Sequence, residues 1–258
     1  MSDERQGTLI VAHRGASADA PENTMEAYRL AVEQGADAIE LDVHLSQDGQ
    51  VVVIHDETVD RTTDGAGGVA GFNVDGLRAF DAGAQFAGTD GSYPFRDKGL
   101  QVPTLREVVE WLPDGVGLVV EIKARQAVDA TIETLSDSEV RKGGRATVIS
   151  FDEASIDRAR ELDSEIRTGY LLVPSQPFEP ALTWAVEHSH PLVHPWDGDL
   201  GLDPAPKLAQ ALAYGRLVGT YVVNDPERMQ QLAAYGLWAF VTDVPGKARE
   251  ALGPASRG

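Results

Sequence analysis

The chain reads as a TIM (β/α)8 barrel with an irregular insertion after the second strand, and three observations point there. Apolar, β-branched runs alternate with amphipathic helical stretches along the 258 residues. About eight such βα units in about 250 residues is the size of a (β/α)8 barrel. A doubly wound sheet, the alternative, ordinarily has fewer strands. The conspicuous ionisable residues, two histidines and an acidic pair, sit at or just past the ends of apolar runs, where parallel strands open onto a common cleft.

Taken in order, the first strand is Leu9–Ala12, a Leu-Ile-Val-Ala run that stops at His13. Thr24–Gln34 follows with apolar residues at helical spacing, preceded by the cap-type residues Glu22-Asn23-Thr24. Ala38–Val43 is the second strand. After it the rhythm breaks: from about 57 to 102 the chain is rich in Gly, Asp and Thr, with Asp64-Gly-Ala-Gly-Gly68 and Gly88-Thr-Asp-Gly-Ser92. A structureless stretch of that length is uncommon in a compact domain unless it is functional. It is expected to lie beside the barrel mouth, where a lid would govern selectivity. The strands resume at Leu118–Ile122, Ala146–Ser150, Arg167–Leu172, Leu192–His194, Leu217–Val223 and Ala239–Thr242. Helical patterns separate the later strands at Glu153–Leu162, Glu179–Glu187, Pro206–Tyr214 and Asp225–Tyr235, the last opening on the Asp-Pro pair that starts helices. There is no internal repeat or low-complexity linker, so residues 1–258 read as one domain. The tail Pro254–Gly258 is expected to be disordered.

Composition narrows the function. No cysteine is present, which excludes disulfides and thiolate metal sites. The formal net charge of −19 disfavours nucleic acid and anionic membrane surfaces as partners. No apolar run is long enough to span a bilayer, and Met1–Gln6 lacks the apolar stretch of a secretory signal. A cytoplasmic protein with no stable membrane anchor is the expectation. An anionic substrate would be repelled by the whole-protein field unless a metal ion and a few cations reversed the sign in the cleft.

Those groups are present. Glu40 and Asp42 are two apart on one strand and share a face. Carboxylates aimed into one space repel unless a cation lies between them or a proton is taken up. Glu121, near the end of another strand, offers a third oxygen ligand. Carboxylates without Cys or His partners favour one hard divalent cation, Mg2+ or Ca2+. His44 continues the alternation and reads as a partner on the strand exit more than as a ligand. His13 and His55 each follow an apolar run. Imidazole titrates near neutrality, so one can take a proton while the other gives one. Arg14 and Lys123 are the candidate anion binders, with salt bridges to the nearby acids as the alternative. His194-Pro195-Trp196 is placed to approach the mouth, whereas His188 and His190 read as solvated or packing residues.

As a set, these residues resemble the glycerophosphodiester phosphodiesterase family. The similarity runs through His13-Arg-Gly15, Pro21-Glu-Asn-Thr24, Glu40-Leu-Asp-Val43, Asp48-Gly49, Val51-Val-Val-Ile-His-Asp56, Glu121-Ile-Lys123, Val223-Asn-Asp225 and Thr242-Asp243. Each piece is weak alone; the ordered set is specific and covers almost the whole chain. The resemblance implies a TIM barrel with a segment inserted after the second strand. It also implies metal-dependent hydrolysis of glycerophosphodiesters to glycerol 3-phosphate and an alcohol. Glu40, Asp42 and Glu121 would hold the metal, His13 and His55 would be the acid/base pair, and Arg14 and Lys123 would hold phosphate. Asn23 would support the site. Tyr221 stands where the family usually has Trp, keeping an aromatic wall. A phospholipase using similar two-histidine logic, a sugar-phosphate barrel enzyme and a binding protein without catalysis are the competing readings. The negative charge and lack of an apolar anchor favour small deacylated substrates.

Overall fold

The computed structural model describes residues 7–254. The expectation for the tail beyond Pro254 and the signal-peptide reading of Met1–Gln6 therefore fall on residues outside those described. Among the described residues, nine strands form one sheet: β1 (Leu9–His13), β2 (Ala38–Leu45), β3 (Val51–Val53), β4 (Gly117–Ile122), β5 (Ala146–Ser150), β6 (Arg167–Leu171), β7 (Leu192–His194), β8 (Leu217–Thr220) and β9 (Ala239–Thr242). Eight of them run parallel in the order β1-β9-β8-β7-β6-β5-β4-β2, and β1 pairs with β2 to close the ring. This closure makes a barrel and excludes the doubly wound alternative.

The strands are nearly continuous apolar text because both faces are covered, by the barrel interior and by the helices. Ile39, Leu41 and Val43 of β2 join Leu118, Val120 and Ile122 of β4 in one buried cluster under the surrounding helices. A second cluster, around Ile10, Val193, Val218 and Phe240, covers the opposite arc. Inside the barrel lie Val11, Val119, Ile149, Leu171 and Val241. His194 belongs to this interior rather than to the mouth. It is buried, neither ring nitrogen has a hydrogen-bond partner, and a Cβ at Gly219 would lie 2.4 Å from its Nδ1. Burial alone lowers its proton affinity to a pKa of about 4.

The expected helices form, with their caps. Thr24 accepts from the Ala27 amide at 3.2 Å to start Met25–Glu33, and Asp225 caps Pro226–Ala234. Two differences concern the strands. β3 is an additional antiparallel strand, pairing Val53 with Val43 on the extension of β2 beyond the barrel. β8 ends at Thr220, short of the expected Val223, because its ladder to β9 stops at the Thr220–Phe240 pair. The excursion from 57 to 102 is largely irregular, as its composition implies, but it is not structureless. It carries a short helix, Val74–Arg78, and its own core of Val59, Val69, Leu77 and Ala82 packed on Val52 and Ile54. That core anchors it beside the barrel mouth.

Candidate active site

The site assembles from the C-terminal ends of β1, β2, β4 and β9 and from the loop after β3. Register does part of the work: His13 pairs with Glu40, and Asp42 with Glu121. The three carboxylates are thereby brought together, each offering an oxygen within 4.8 Å of the others, and all three residues are buried. Three anions in so little water are unfavourable. Burial, reinforced by Asp42, pushes Glu40 up to about 8, and the same causes in the same order raise Glu121. Asp42 is fully buried and its Oδ1 has no hydrogen-bond partner. An all-oxygen donor set with an unpartnered buried carboxylate oxygen fits a hard divalent cation.

The loop after β1 braces this cluster. Arg14 has a positive φ of 55° and donates its backbone N–H to Glu40 Oε2 at 3.0 Å. Its guanidinium lies 3.1 Å from Asp42 Oδ2 and donates to Glu22 Oε1 at 2.9 Å. At Gly15 a Cβ would fall 2.6 Å from Ala27, so only glycine allows this loop to close on the first helix. Asn23, expected to support the site, turns its carboxamide inward. Its Nδ2 donates to Asp42 Oδ2 at 2.8 Å, and its Oδ1 accepts from the Tyr28 hydroxyl at 3.0 Å. Lys123 donates to Glu121 Oε1 at 2.6 Å and lies 3.7 Å from Asp42. Both cations are therefore engaged with the acids, within the cleft where an anion would compete for them.

The two histidines are held differently. His13 donates Nδ1–H to Asp243 Oδ1 at 2.6 Å, and Asp243 is itself fixed by Asn224 at 2.6 Å and Ser17 at 3.0 Å. Burial works against a charged ring, but the bond to Asp243 and the nearby Glu40 outweigh it, and the pKa of His13 is raised. Asp243 falls to about 2, its burial overcome by His13, Asn224 and Ser17. His55 donates Nδ1–H to Asp56 at 2.5 Å, while its Nε2 accepts from Lys123 at 3.1 Å. Here burial, Arg14 and Lys123 prevail over Asp42 and Asp56, and the pKa is lowered. His44 supports this loop, its Nε2 lying 3.0 Å from the His55 carbonyl. Arg61 of the excursion bridges Asp56, at 2.7 Å, to Glu22, at 2.7 Å through each of two nitrogens.

The cleft lined by His13, Arg14, Glu22, Asn224 and Asp243 adjoins a second, lined by Glu22, Arg61, Gln85 and Phe86, so the excursion walls one side of the mouth. Tyr221 stands on another side, its ring edge-to-face with Phe151 and its hydroxyl donating to the Leu172 carbonyl. Asp243, Asp56, Asn224 and Glu22 are site residues that reading for histidines and paired acids passes over, although each lies within a motif quoted above. Placement alone points to Asp243, which follows the last apolar run as His13 follows the first. Arg61 carries no signal of its own in the sequence.

A barrel whose mouth joins two oppositely biased histidines to a carboxylate cluster that fits a hard cation, and to two basic side chains, belongs to the class of phosphoester-processing enzymes. Residues 13–247 match the glycerophosphoryl diester phosphodiesterase family. The chain is 33% identical over 245 residues to a glycerophosphodiester phosphodiesterase of Caldanaerobacter subterraneus subsp. tengcongensis, covering 92% of this chain and 95% of the relative. A phosphodiesterase of Oleispira antarctica, solved in complex with the product sn-glycerol-3-phosphate, superposes with a TM-score of 0.83 at 27% identity, covering 95% of this chain and 97% of that one. A glycerophosphodiester phosphodiesterase of Agrobacterium tumefaciens gives a TM-score of 0.78 at 30% identity, over 94% and 99% of the two chains. The chain belongs to the glycerophosphoryl diester phosphodiesterase family.

Proposed function

We propose that this enzyme hydrolyses small glycerophosphodiesters to glycerol 3-phosphate and a free alcohol, with His13 and His55 as its acid/base pair. The observation that carries the reading is the opposed bias of those two rings beside the three-carboxylate cluster. Glu40, Asp42 and Glu121 hold one divalent cation, Mg2+ or Ca2+. That cation supplies Lewis-acid neutralisation of the phosphoryl oxygens. Arg14 and Lys123 exchange carboxylate partners for phosphate oxygens and stabilise the charge that develops there. Asn23 acts one step back, holding Asp42 in place.

The proton inventory supports a direction for the first step. His55 keeps Nε2 unprotonated, with Nδ1–H on Asp56, and takes the proton of the attacking oxygen. His13, held on Asp243 and readily protonated, gives its proton to the departing alkoxide. When the attacking oxygen is the neighbouring glycerol hydroxyl, the product is a cyclic phosphate that water opens with the two roles exchanged. The excursion is placed to choose the head group through Arg61, Gln85 and Phe86. Among the described residues no helix is long and apolar enough to cross a membrane. The negative charge supports small substrates without a nucleic-acid partner, and the reading includes a cytoplasmic setting.

The test is coupled release of glycerol 3-phosphate from glycerophosphocholine, glycerophosphoethanolamine, glycerophosphoinositol and glycerophosphoglycerol. It is run with chelator, then with Mg2+ or Ca2+ restored, beside His13→Ala. Cation-dependent release that the variant loses is the expected result. Release that survives the chelator or the substitution would overturn the mechanism, and higher turnover on lysophospholipid vesicles would move the substrate class to lipids.

A further inference from the structure

Away from the mouth, Asp157, His188 and His190 form a second cluster of convergent donors. Each offers one ligand atom within 4.8 Å of the others. Asp157 comes from the helix Glu153–Leu162. His188 caps the helix Phe178–Glu187, and His190 lies just before β7. The cluster is therefore set toward the strands' N-terminal ends, opposite the catalytic carboxylates. Asp157 Oδ2 lies 2.9 Å from His188 Nδ1, and Asp157 Oδ1 lies 2.9 Å from His190 Nε2. His190 is completely buried, while His188 and Asp157 are partly open to solvent.

We infer that Asp157, His188 and His190 bind one borderline divalent cation of the Zn2+ class, cross-linking two helices on the closed end of the barrel. Three features carry this beyond proximity. Two imidazoles and one carboxylate form a donor set suited to Zn2+, Co2+ or Ni2+ rather than to Mg2+ or Ca2+, and solvent can supply a fourth position. Tetrahedral bonds of about 2.0–2.1 Å place donors ~3.3 Å apart, close to the 3.0 Å and 2.9 Å that separate Asp157 Oδ1 from His188 Nδ1 and His190 Nε2. The buried ring also has its outer support: Thr168 Oγ1 lies 2.8 Å from His190 Nδ1. With Nδ1–H donated to that hydroxyl, the Nε2 lone pair is free for a metal, the arrangement by which metal-bound histidines are usually fixed.

Trp184 adds orientation. Its indole lies nearly parallel to both imidazoles, with centroids 4.4 Å from His188 and 5.0 Å from His190. Arg160 acts electrostatically on His190, so attraction for a cation rests on donor chemistry rather than on excess negative charge. Without metal, the same groups form an Asp157-centred hydrogen-bond node.

The test is calorimetric titration of the whole protein with Zn2+ in excess Mg2+, which keeps the mouth cluster occupied. Ni2+ is followed in parallel by quenching of tryptophan fluorescence. One equivalent of Zn2+ should bind, and His188→Ala, at an exposed position, should weaken it by at least ~10-fold in protein shown to be folded. Trp184→Phe should remove most of the Ni2+ quench while leaving Zn2+ stoichiometry unchanged. Glu40→Gln should leave this equivalent intact. Wild-type affinity retained in both His188→Ala and Asp157→Asn, or loss of the equivalent in Glu40→Gln alone, would overturn the inference.

Discussion

His13 and His55 enter one cleft, and each hands Nδ1–H to a carboxylate, yet their proton affinities move in opposite directions. The difference lies in what else surrounds each ring. His13 sits at the end of a barrel strand beside Glu40, and its Asp243 comes from the last strand, so acids dominate its field. His55 sits on the excursion side, where Lys123 donates to its free nitrogen and Arg61 holds its partner Asp56. The Asp56 carboxylate, bonded first of all by Arg61, is held well below its usual range and is already committed elsewhere. A His–carboxylate pair is therefore not one device. Its proton affinity is set by the neighbours that compete for both members.

The largest effect should come from breaking either half. His13→Ala and His55→Ala should each lower turnover by at least ~10²-fold, measured as glycerol 3-phosphate release by protein shown to be folded. Near-normal turnover in both would refute the pairing. Next, Glu40→Gln or Glu121→Gln should weaken Mg2+ or Ca2+ binding by at least ~10-fold by calorimetry, since even outer partners of metal ligands carry that much.

The contrast between the rings also predicts a pH profile in the cation-saturated enzyme. Activity should fall on the acid side as His55 protonates, with a midpoint below its ordinary value, and on the alkaline side as His13 loses its proton, above that value. Asp243→Asn should draw the alkaline midpoint downward by about one unit, a ~10-fold loss at a fixed alkaline pH. Asp56→Asn should move the acid midpoint less, because Arg61 neutralises much of that carboxylate. Equal shifts would erase the distinction.

A stability measurement tests the carboxylates from the other side. Folded Glu40 holds its proton up to about 8, against an ordinary value of 4.5, so the folded state binds more protons in that interval. The metal-free protein should lose stability as pH rises between those values. The rise in melting temperature on adding Mg2+ or Ca2+ should accordingly be larger at about pH 8.5 than at about pH 6. The smallest effect is expected at Arg61→Ala. Partly exposed ion pairs contribute at most about 1 kcal/mol, so stability should barely move while the acid midpoint shifts.

Much of this protein is legible in its sequence because the causes are local. Apolar runs with β-branched residues become barrel strands, Thr24 and Asp225 cap the helices their spacing promises, and alternation alone puts Glu40 and Asp42 on one face. Glycine-rich text announces the excursion, and strand-end placement announces His13 and His55. What tertiary structure decided is everything that depends on distant partners. Asp243 reaches His13 from 230 residues away, and Arg61 reaches Glu22 across 39. Asn23 turns inward because Asp42 and Tyr28 meet it there, and His194 sinks into the barrel axis through space left by Gly219. Asp157, His188 and His190 converge only once the segment leading into β7 meets the helix Glu153–Leu162. Composition and period specify which residue types a segment presents. Proton affinity and ligation depend on the field of groups brought within a few ångströms, and in this chain barrel closure is what brings them there.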